Sequence, residues 1–221
     1  MGRLRLYQFA DSPFCAKVRK ILDYKGAPYD LVEVDYLNRA ELLEASGQLM
    51  VPALTLESGE TIADSDRIAE RLETEYPEPT IFPAQWRGIH RALARYFDSE
   101  LEDALFRAAI PAMLAYWRQR GSGYEALWRL IRERKYGAGF CDQMVRDHAQ
   151  NRERAASMLA PLDEDLSGRA FILGRIGYAD FALYGQLASF AIGGKLDLGP
   201  LVNLHAFYDR MDRITAVLDA E

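Results

Sequence analysis

Apolar and polar positions along this chain follow two different rhythms, and the change falls near residue 80. Before it, short runs of strand character alternate with helical spacing. Leu4 to Phe9 reads as a strand that Asp11 and Ser12 break. Pro13 then opens a helix, where its missing N–H costs nothing and its fixed φ suits the first turn, with Ser12 in the N-cap position. Phe14, Val18, Ile21 and Leu22 recur on one helical face, and Gly26 ends it. Tyr29 to Val34 predicts a second strand and Ala40 to Ser46 a short helix. Ala53–Leu56 and Thr61–Ala63 flank Glu57-Ser58-Gly59-Glu60, a hairpin signature. Ser65 is expected to cap a further helix carrying Ile68, Ala69 and Leu72, which Tyr76-Pro77-Glu78-Pro79 stops. The order is β-α-β-α-β-β-α, an α/β unit.

Beyond the prolines at 77, 79 and 83 the strand rhythm disappears. Trp86 to Arg120 is helical in period, with a kink or break expected at Pro111. Gly121-Ser122-Gly123 reads as a turn, and further helices are expected within 124–135, 141–160, 178–191 and 204–219. The reading is therefore an α/β domain over 1–78, a linker over 79–86 and an all-α domain over 87–221.

Composition narrows the chemistry. The chain has 221 residues, enough for a sizeable core, with 49% hydrophobic and 27% charged residues. A formal charge of -6 lacks the basic footprint that phosphate backbones require, so nucleic acid is not an expected partner. No stretch approaches the ~20 apolar residues of a membrane span. Cys15 and Cys141 are far apart and form no disulfide framework. Met1-Gly2 leads directly into a strand pattern rather than a signal peptide, and Leu6 stands where a myristoylation motif wants Ser or Thr. A cytoplasmic location is the expectation. His90, His148 and His205 show no metal-ligand spacing, so no metal is expected and the three read as structural or surface residues.

Three segments carry candidate chemistry: Ser12-Pro13-Phe14-Cys15-Ala16-Lys17-Val18-Arg19, Met50-Val51-Pro52-Ala53-Leu54 and Ala63-Asp64-Ser65-Asp66. A hydroxyl at a helix N-terminus can cap that helix. It can also donate to a thiolate and, with the helix dipole, favour the anion of a thiol whose ordinary pKa is about 8.5. With the domain order, these segments resemble the cytosolic glutathione transferases over the whole chain. The resemblance implies a thioredoxin-like N-terminal domain (β-α-β-α-β-β-α) followed by an all-α helical domain. It implies that Ser12 is the catalytic hydroxyl of a serine-type, bacterial-like member. Phe14, Gln48, Val51, Pro52, Asp64 and Ser65 would form the glutathione site. In that reading the Val51–Pro52 bond is cis and presents the Val51 backbone to the cysteinyl unit, while Ser65 and the helix N-terminus hold the γ-glutamyl carboxylate. Asp64 would accept from the α-ammonium, Gln48 would reach the backbone or the glycyl carboxylate, and Asp66 would point to solvent. The position of a tyrosine-type hydroxyl is held by Gln8, with Tyr7 turned to the opposite face. Cysteine-type members keep a Cys where this chain has Ser12, which argues against thiol–disulfide exchange, and Cys15 reads as a buried structural residue.

In the helical half, Gly177-Tyr178-Ala179-Asp180 resembles the family's buried capping box, with Gly177 in place of the hydroxyl residue. Asp180 is expected still to accept backbone N–H groups while the reciprocal bond is lost. An acceptor pocket is expected between the halves, with Tyr96, Glu100, Ala104 and the nearby Phe97, Leu101 and Phe106 as candidate lining and Lys135-Tyr136-Gly137 and Phe140 bordering it. The function implied is conjugation of glutathione, as co-substrate, to a small hydrophobic electrophile, a detoxification chemistry, in a homodimer. Two alternatives stand beside it: a non-catalytic binding module of the same fold, and a glutathione-dependent dehalogenase, isomerase or etherase.

Overall fold

A computed structural model describes residues 3–192, 194 and 196–215. Strand β1 (Leu4–Gln8) is followed by helix α1 (Pro13–Lys25), β2 (Tyr29–Glu33), α2 (Ala40–Ser46), the hairpin β3 (Ala53–Thr55) and β4 (Thr61–Ala63), and α3 (Ser65–Glu75). The sheet order is β2-β1-β3-β4, with β1 and β2 parallel and the other two pairings antiparallel. This is the thioredoxin-like arrangement. Period-two alternation sorts the strand residues between two cores. Leu4, Leu6, Leu54 and Ile62 face α1 and α3, whereas Tyr7, Phe9 and Ala53 face the other way. Helix α1 closes on Gly26, whose φ of 61° lets its N–H reach the Leu22 and Asp23 carbonyls.

The linker contains a 3-10 turn at Ala84–Trp86. Its proline stretch is held by Lys25, a buried ammonium that donates to Glu73 Oε2 (2.7 Å) and to the carbonyls of Tyr76 (2.7 Å) and Pro79 (3.0 Å). All three ammonium protons are used, which removes the penalty of burying an unpaired charge.

The rest is helical: α4 (Arg87–Tyr96), a π-helical segment at Phe97–Leu101, α5 (Glu102–Arg120), α6 (Ser122–Tyr136), α7 (Phe140–Arg146), α8 (His148–Asp165), α9 (Tyr178–Phe190) and α10 (Val202–Arg213). Several expectations are corrected. Pro111 does not break α5, which runs through it. The turn at Gly121-Ser122-Gly123 shrinks to Gly121, because α6 starts at Ser122. The helix expected within 141–160 divides at Asp147. Positions 216–219 of the last expected helix lie outside the described residues.

The two halves meet where α1 packs on α9. Gly185 permits this: a Cβ there would lie 2.4 Å from the Pro13 carbonyl oxygen. The N-terminus of α9 is a buried cap. Asp180 Oδ2 accepts the Gly177 N–H and Oδ1 the Ile172 N–H, both at 2.9 Å. The hydroxyl missing at Gly177 is replaced from another helix. His90 Nδ1 accepts the Ala179 N–H at 3.3 Å, and its ring occupies the space into which a Gly177 side chain would project, 2.2 Å from an added Cβ.

Candidate functional site

Sheet register gathers the three sequence segments at one end of the sheet. Ala53 pairs with both Tyr7 and Ala63, so Pro52, the strand end that leads to Ser12, and Asp64 are neighbours across three strands. The Val51–Pro52 peptide is cis there.

A cleft of about 280 Å³ opens between this end of the sheet and the helical half. Ser12, Phe14 and Val51 line it. Ser12 is half-buried at the N-cap of α1, where its Oγ accepts the Cys15 N–H at 3.3 Å. Cys15 behind it is fully buried, which pushes its thiol up to about 12, with Ser12 the leading opposing influence. It is no thiolate at neutral pH. Asp64 caps α3 from an exposed position with a φ of 82°, its Oδ1 accepting the N–H groups of Asp66 (3.0 Å) and Arg67 (3.1 Å). This corrects the expectation that Ser65 is the cap: Ser65 is the buried first residue of the helix. Pro52, Asp64, Ser65 and Gln48 are not among the residues that line the cleft. The Gln48 amide donates to its own loop, at the Met50 carbonyl (2.8 Å).

Asp66 is exposed, as expected, and is also tied to the helical half. It receives the Lys17 ammonium (3.1 Å) and the Tyr178 hydroxyl. Partial burial pulls its carboxyl up, but Lys17 and Tyr178 carry it below the ordinary value. Lys17 also donates to Asp98 Oδ2 at 2.6 Å, and Gln186 to Asp98 Oδ1 at 2.9 Å. This network, buried at Lys17 and exposed at Asp66, joins α1 and α3 to the helical half, and its Gln186 lines the cleft.

The opposite wall is not where the sequence placed it. Tyr96, Glu100 and Ala104 are outside the lining: Tyr96 lies against the core beside Phe97, Glu100 is exposed and Ala104 is buried. The π-helical segment consumes an extra residue, so α-helical spacing carried through it arrives one position early. Of the expected face Phe106 does line the cleft, joined by Leu105, Ala109 and Met113. Lys135 and Tyr136 of α6 do border it, joined by Arg132. Sequence reasoning also passed over Asp11, Tyr36, Arg39 and Glu102, all of which line the cleft. Asp11 is buried and accepts the Trp117 indole N–H at 3.1 Å, while Ser189 Oγ donates to its carbonyl at 2.7 Å. Burial pushes the Asp11 carboxyl up against the pull of Arg132. Nothing in the sequence signals a partner 106 positions away.

Residues 6–80 match the family model described as glutathione S-transferase, N-terminal domain. Residues 6–80 are thus a glutathione S-transferase N-terminal domain, and the rest of the chain lies outside that match. The chain is 27% identical over 196 residues to a probable glutathione S-transferase of Nicotiana tabacum, covering 87% of this chain and 73% of that one. The fold matches a glutathione S-transferase of Ceriporiopsis subvermispora in complex with glutathione, with a TM-score of 0.76, 23% identity and 100% of both chains covered. It also matches a glutathione transferase from Phanerochaete chrysosporium, with a TM-score of 0.77, 20% identity and 96% and 97% covered. Among the described residues no helix is long and apolar enough to cross a membrane, and no group of three or more His, Cys, Asp or Glu is placed to hold a metal. The three sequence segments stand at one end of the sheet, and residues of α5 and α6 line the cleft opposite Ser12, Phe14 and Val51.

Proposed function

We propose that this chain is a serine-type glutathione transferase that conjugates glutathione to a hydrophobic electrophile. The observation that carries this reading is the half-exposed Ser12 hydroxyl at the N-terminus of α1, in one cleft with Val51. Its Oγ already accepts the Cys15 N–H, so the hydroxyl is held at the positive end of the helix, where it donates to a sulfur anion. The Val51 backbone pairs with the cysteinyl unit, Phe14 borders it, and Pro52 shapes the turn. Asp64 and Ser65 hold the γ-glutamyl end at the N-terminus of α3, and Gln48 the glycyl end. The sulfur attacks the electrophilic carbon, a C–S bond forms, the leaving group departs with its bonding pair, and the thiol proton passes to water. Proximity and a thiolate available at neutral pH supply the rate. The family resemblance adds a cytoplasmic homodimer, which sedimentation of the full chain checks.

The test is a difference-absorbance titration of bound thiolate on adding glutathione at neutral pH, with wild type and Ser12→Ala in parallel. A saturable signal in the wild type that weakens in the variant is expected. A signal unchanged in the variant would return Ser12 to a capping role. Binding of glutathione without any thiolate signal would favour the non-catalytic module.

A further inference from the structure

The wall facing the sheet end carries two cations that form no ion pair among the described residues. Arg129 on α6 is paired with Glu133 (3.6 Å) and Asp142 (2.7 Å). One turn on, half-buried Arg132 forms no ion pair among the described residues. Its one hydrogen bond goes from NH1 to the neutral Tyr36 hydroxyl (2.8 Å), and its guanidinium lies 4.4 Å from the Trp128 ring centroid. A guanidinium has five N–H donors, so most of this fork is unspent. Lys135, exposed on the same helix face, has neither an ion pair nor a hydrogen bond among the described residues and lies 4.7 Å over the Tyr136 ring. Both side chains line the cleft, among Phe106, Tyr136 and Phe190.

Two carboxyls share the cleft, Asp11 and Glu102, and neither comes within ion-pair distance of Arg132 or Lys135. Burial pushes both carboxyls up, against the pull of Arg132 on Asp11 and of Lys135 on Glu102, and neither is bonded to the guanidinium fork or the ammonium. The third cation, Arg39, is committed elsewhere: it donates to the carbonyls of Tyr36 (3.2 Å) and Leu49 (3.0 Å).

We propose that Arg132 and Lys135 make the acceptor side of this cleft selective for aromatic organic anions, the ring lying among Phe106, Tyr136 and Phe190 and the carboxylate or sulfonate meeting the guanidinium fork. This deepens the transferase reading by naming its acceptor class, and it is open to a binding test that needs no catalysis. The two cations act as specificity residues. A planar fork suits a carboxylate bidentately, and the aromatic surround lowers the dielectric in which the contact forms.

The experiment is equilibrium binding of 4-nitrobenzoate and its uncharged methyl ester to the full chain, with and without saturating glutathione. In the wild type the acid should bind roughly tenfold tighter than the ester, as for a charge-assisted contact. That preference should fall with added salt. The double variant Arg132→Gln, Lys135→Gln should bring the ratio to near one while leaving ester binding in place. Lys135→Gln alone, at an exposed position, should lower the ratio about twofold to threefold, so the proposal stays testable if the double variant does not fold. Equal affinity for acid and ester in the wild type would overturn it, as would a preference unchanged by the variants. Displacement of the acid by glutathione would also overturn it, because the cations would then be serving glutathione's own carboxylates. Retained acid preference in a chain that fails to bind glutathione would sink the transferase reading and leave the anion site standing.

Discussion

Helices α1 and α9 lie against each other, and their N-termini use the same chemistry to opposite ends. At α9 the acceptors are buried: the Ile81 carbonyl takes the Tyr178 N–H, His90 reaches across from α4 to take that of Ala179, and Asp180 takes those of the N-cap Gly177 and of Ile172 in the preceding loop. At α1 a single local hydroxyl, Ser12, accepts one N–H and stays half-exposed in a cleft. A helix N-terminus has several unpaired N–H groups and a positive dipole end. The fold seals one such end as a structural anchor and leaves the other available to an anion. Substitutions at the two ends should therefore separate stability from activity.

The largest effect is expected at the sealed end. Asp180→Ala leaves two buried N–H groups unpaired, so thermal and denaturant unfolding should show a loss of roughly 3–5 kcal/mol. A loss under about 1 kcal/mol would mean that water replaces the carboxylate, and the contrast with α1 would fail. At the open end, Ser12→Ala should lower unfolding stability by only about 1 kcal/mol, the ordinary worth of an N-cap. It should lower the rate of glutathione conjugation on the order of a hundredfold, as for loss of one oriented donor to a developing anion. The reverse pattern, a large loss of stability with turnover intact, would make the two helix ends equivalent.

Much of this contrast was readable in the chain because its signals are local. Ser12-Pro13 announces a helix start in two residues, and α1, α2 and the β3–β4 hairpin fall where capping, period and turn chemistry put them. The capping role of His90 was not readable, since its partner is 89 positions away and the only trace is a glycine where a hydroxyl is usual. The α5 wall failed for a different reason. The spacing Tyr96, Glu100, Ala104 is a sound α-helical face, but the π-helical segment at Phe97–Leu101 shifts the register beyond it. A shift of one residue moves a whole face, and one sequence carries no marker for it. Asp11 shows a third limit, because a residue that reads as a strand breaker becomes a buried carboxyl through Trp117 on a distant helix.

A smaller effect comes from the titration of the sealed end. Burial holds the His90 imidazole below its ordinary pKa. The unfolded chain therefore binds a proton near pH 6.5 that the folded chain resists, and stability is lost as pH falls through that value. Asp180 acts in the opposite sense. Burial pushes it up to about 7, so the folded chain holds its proton more tightly than the unfolded one and gains stability as pH falls from about 7 toward 4. The net wild-type profile mixes the two, so the useful quantity is the difference from His90→Asn, which keeps an acceptor near the Ala179 N–H but does not titrate. Between pH 7 and 5.5 the wild type should lose about 1 kcal/mol relative to that variant. Parallel profiles would show that the imidazole is not held neutral.

The smallest stability effect is expected for Asp64→Gly at the cap of α3, and it discriminates between two roles of one residue. Asp64 takes two N–H groups in its cap but has a φ of 82°, a conformation that suits glycine. Asp64→Ala keeps the unfavourable φ and removes the cap, so a loss of roughly 1–2 kcal/mol is expected. Asp64→Gly removes the cap at a cost of a few tenths and relieves the φ, so its stability should lie within about 0.5 kcal/mol of the wild type. If Asp64 serves only the helix, the glycine variant should bind glutathione as the wild type does. If its carboxylate also meets the γ-glutamyl ammonium, glutathione affinity should fall roughly tenfold in both variants, independent of their stabilities. Calorimetric titration of the glycine variant decides between them, because in that protein the fold is nearly unperturbed and only the charge is missing.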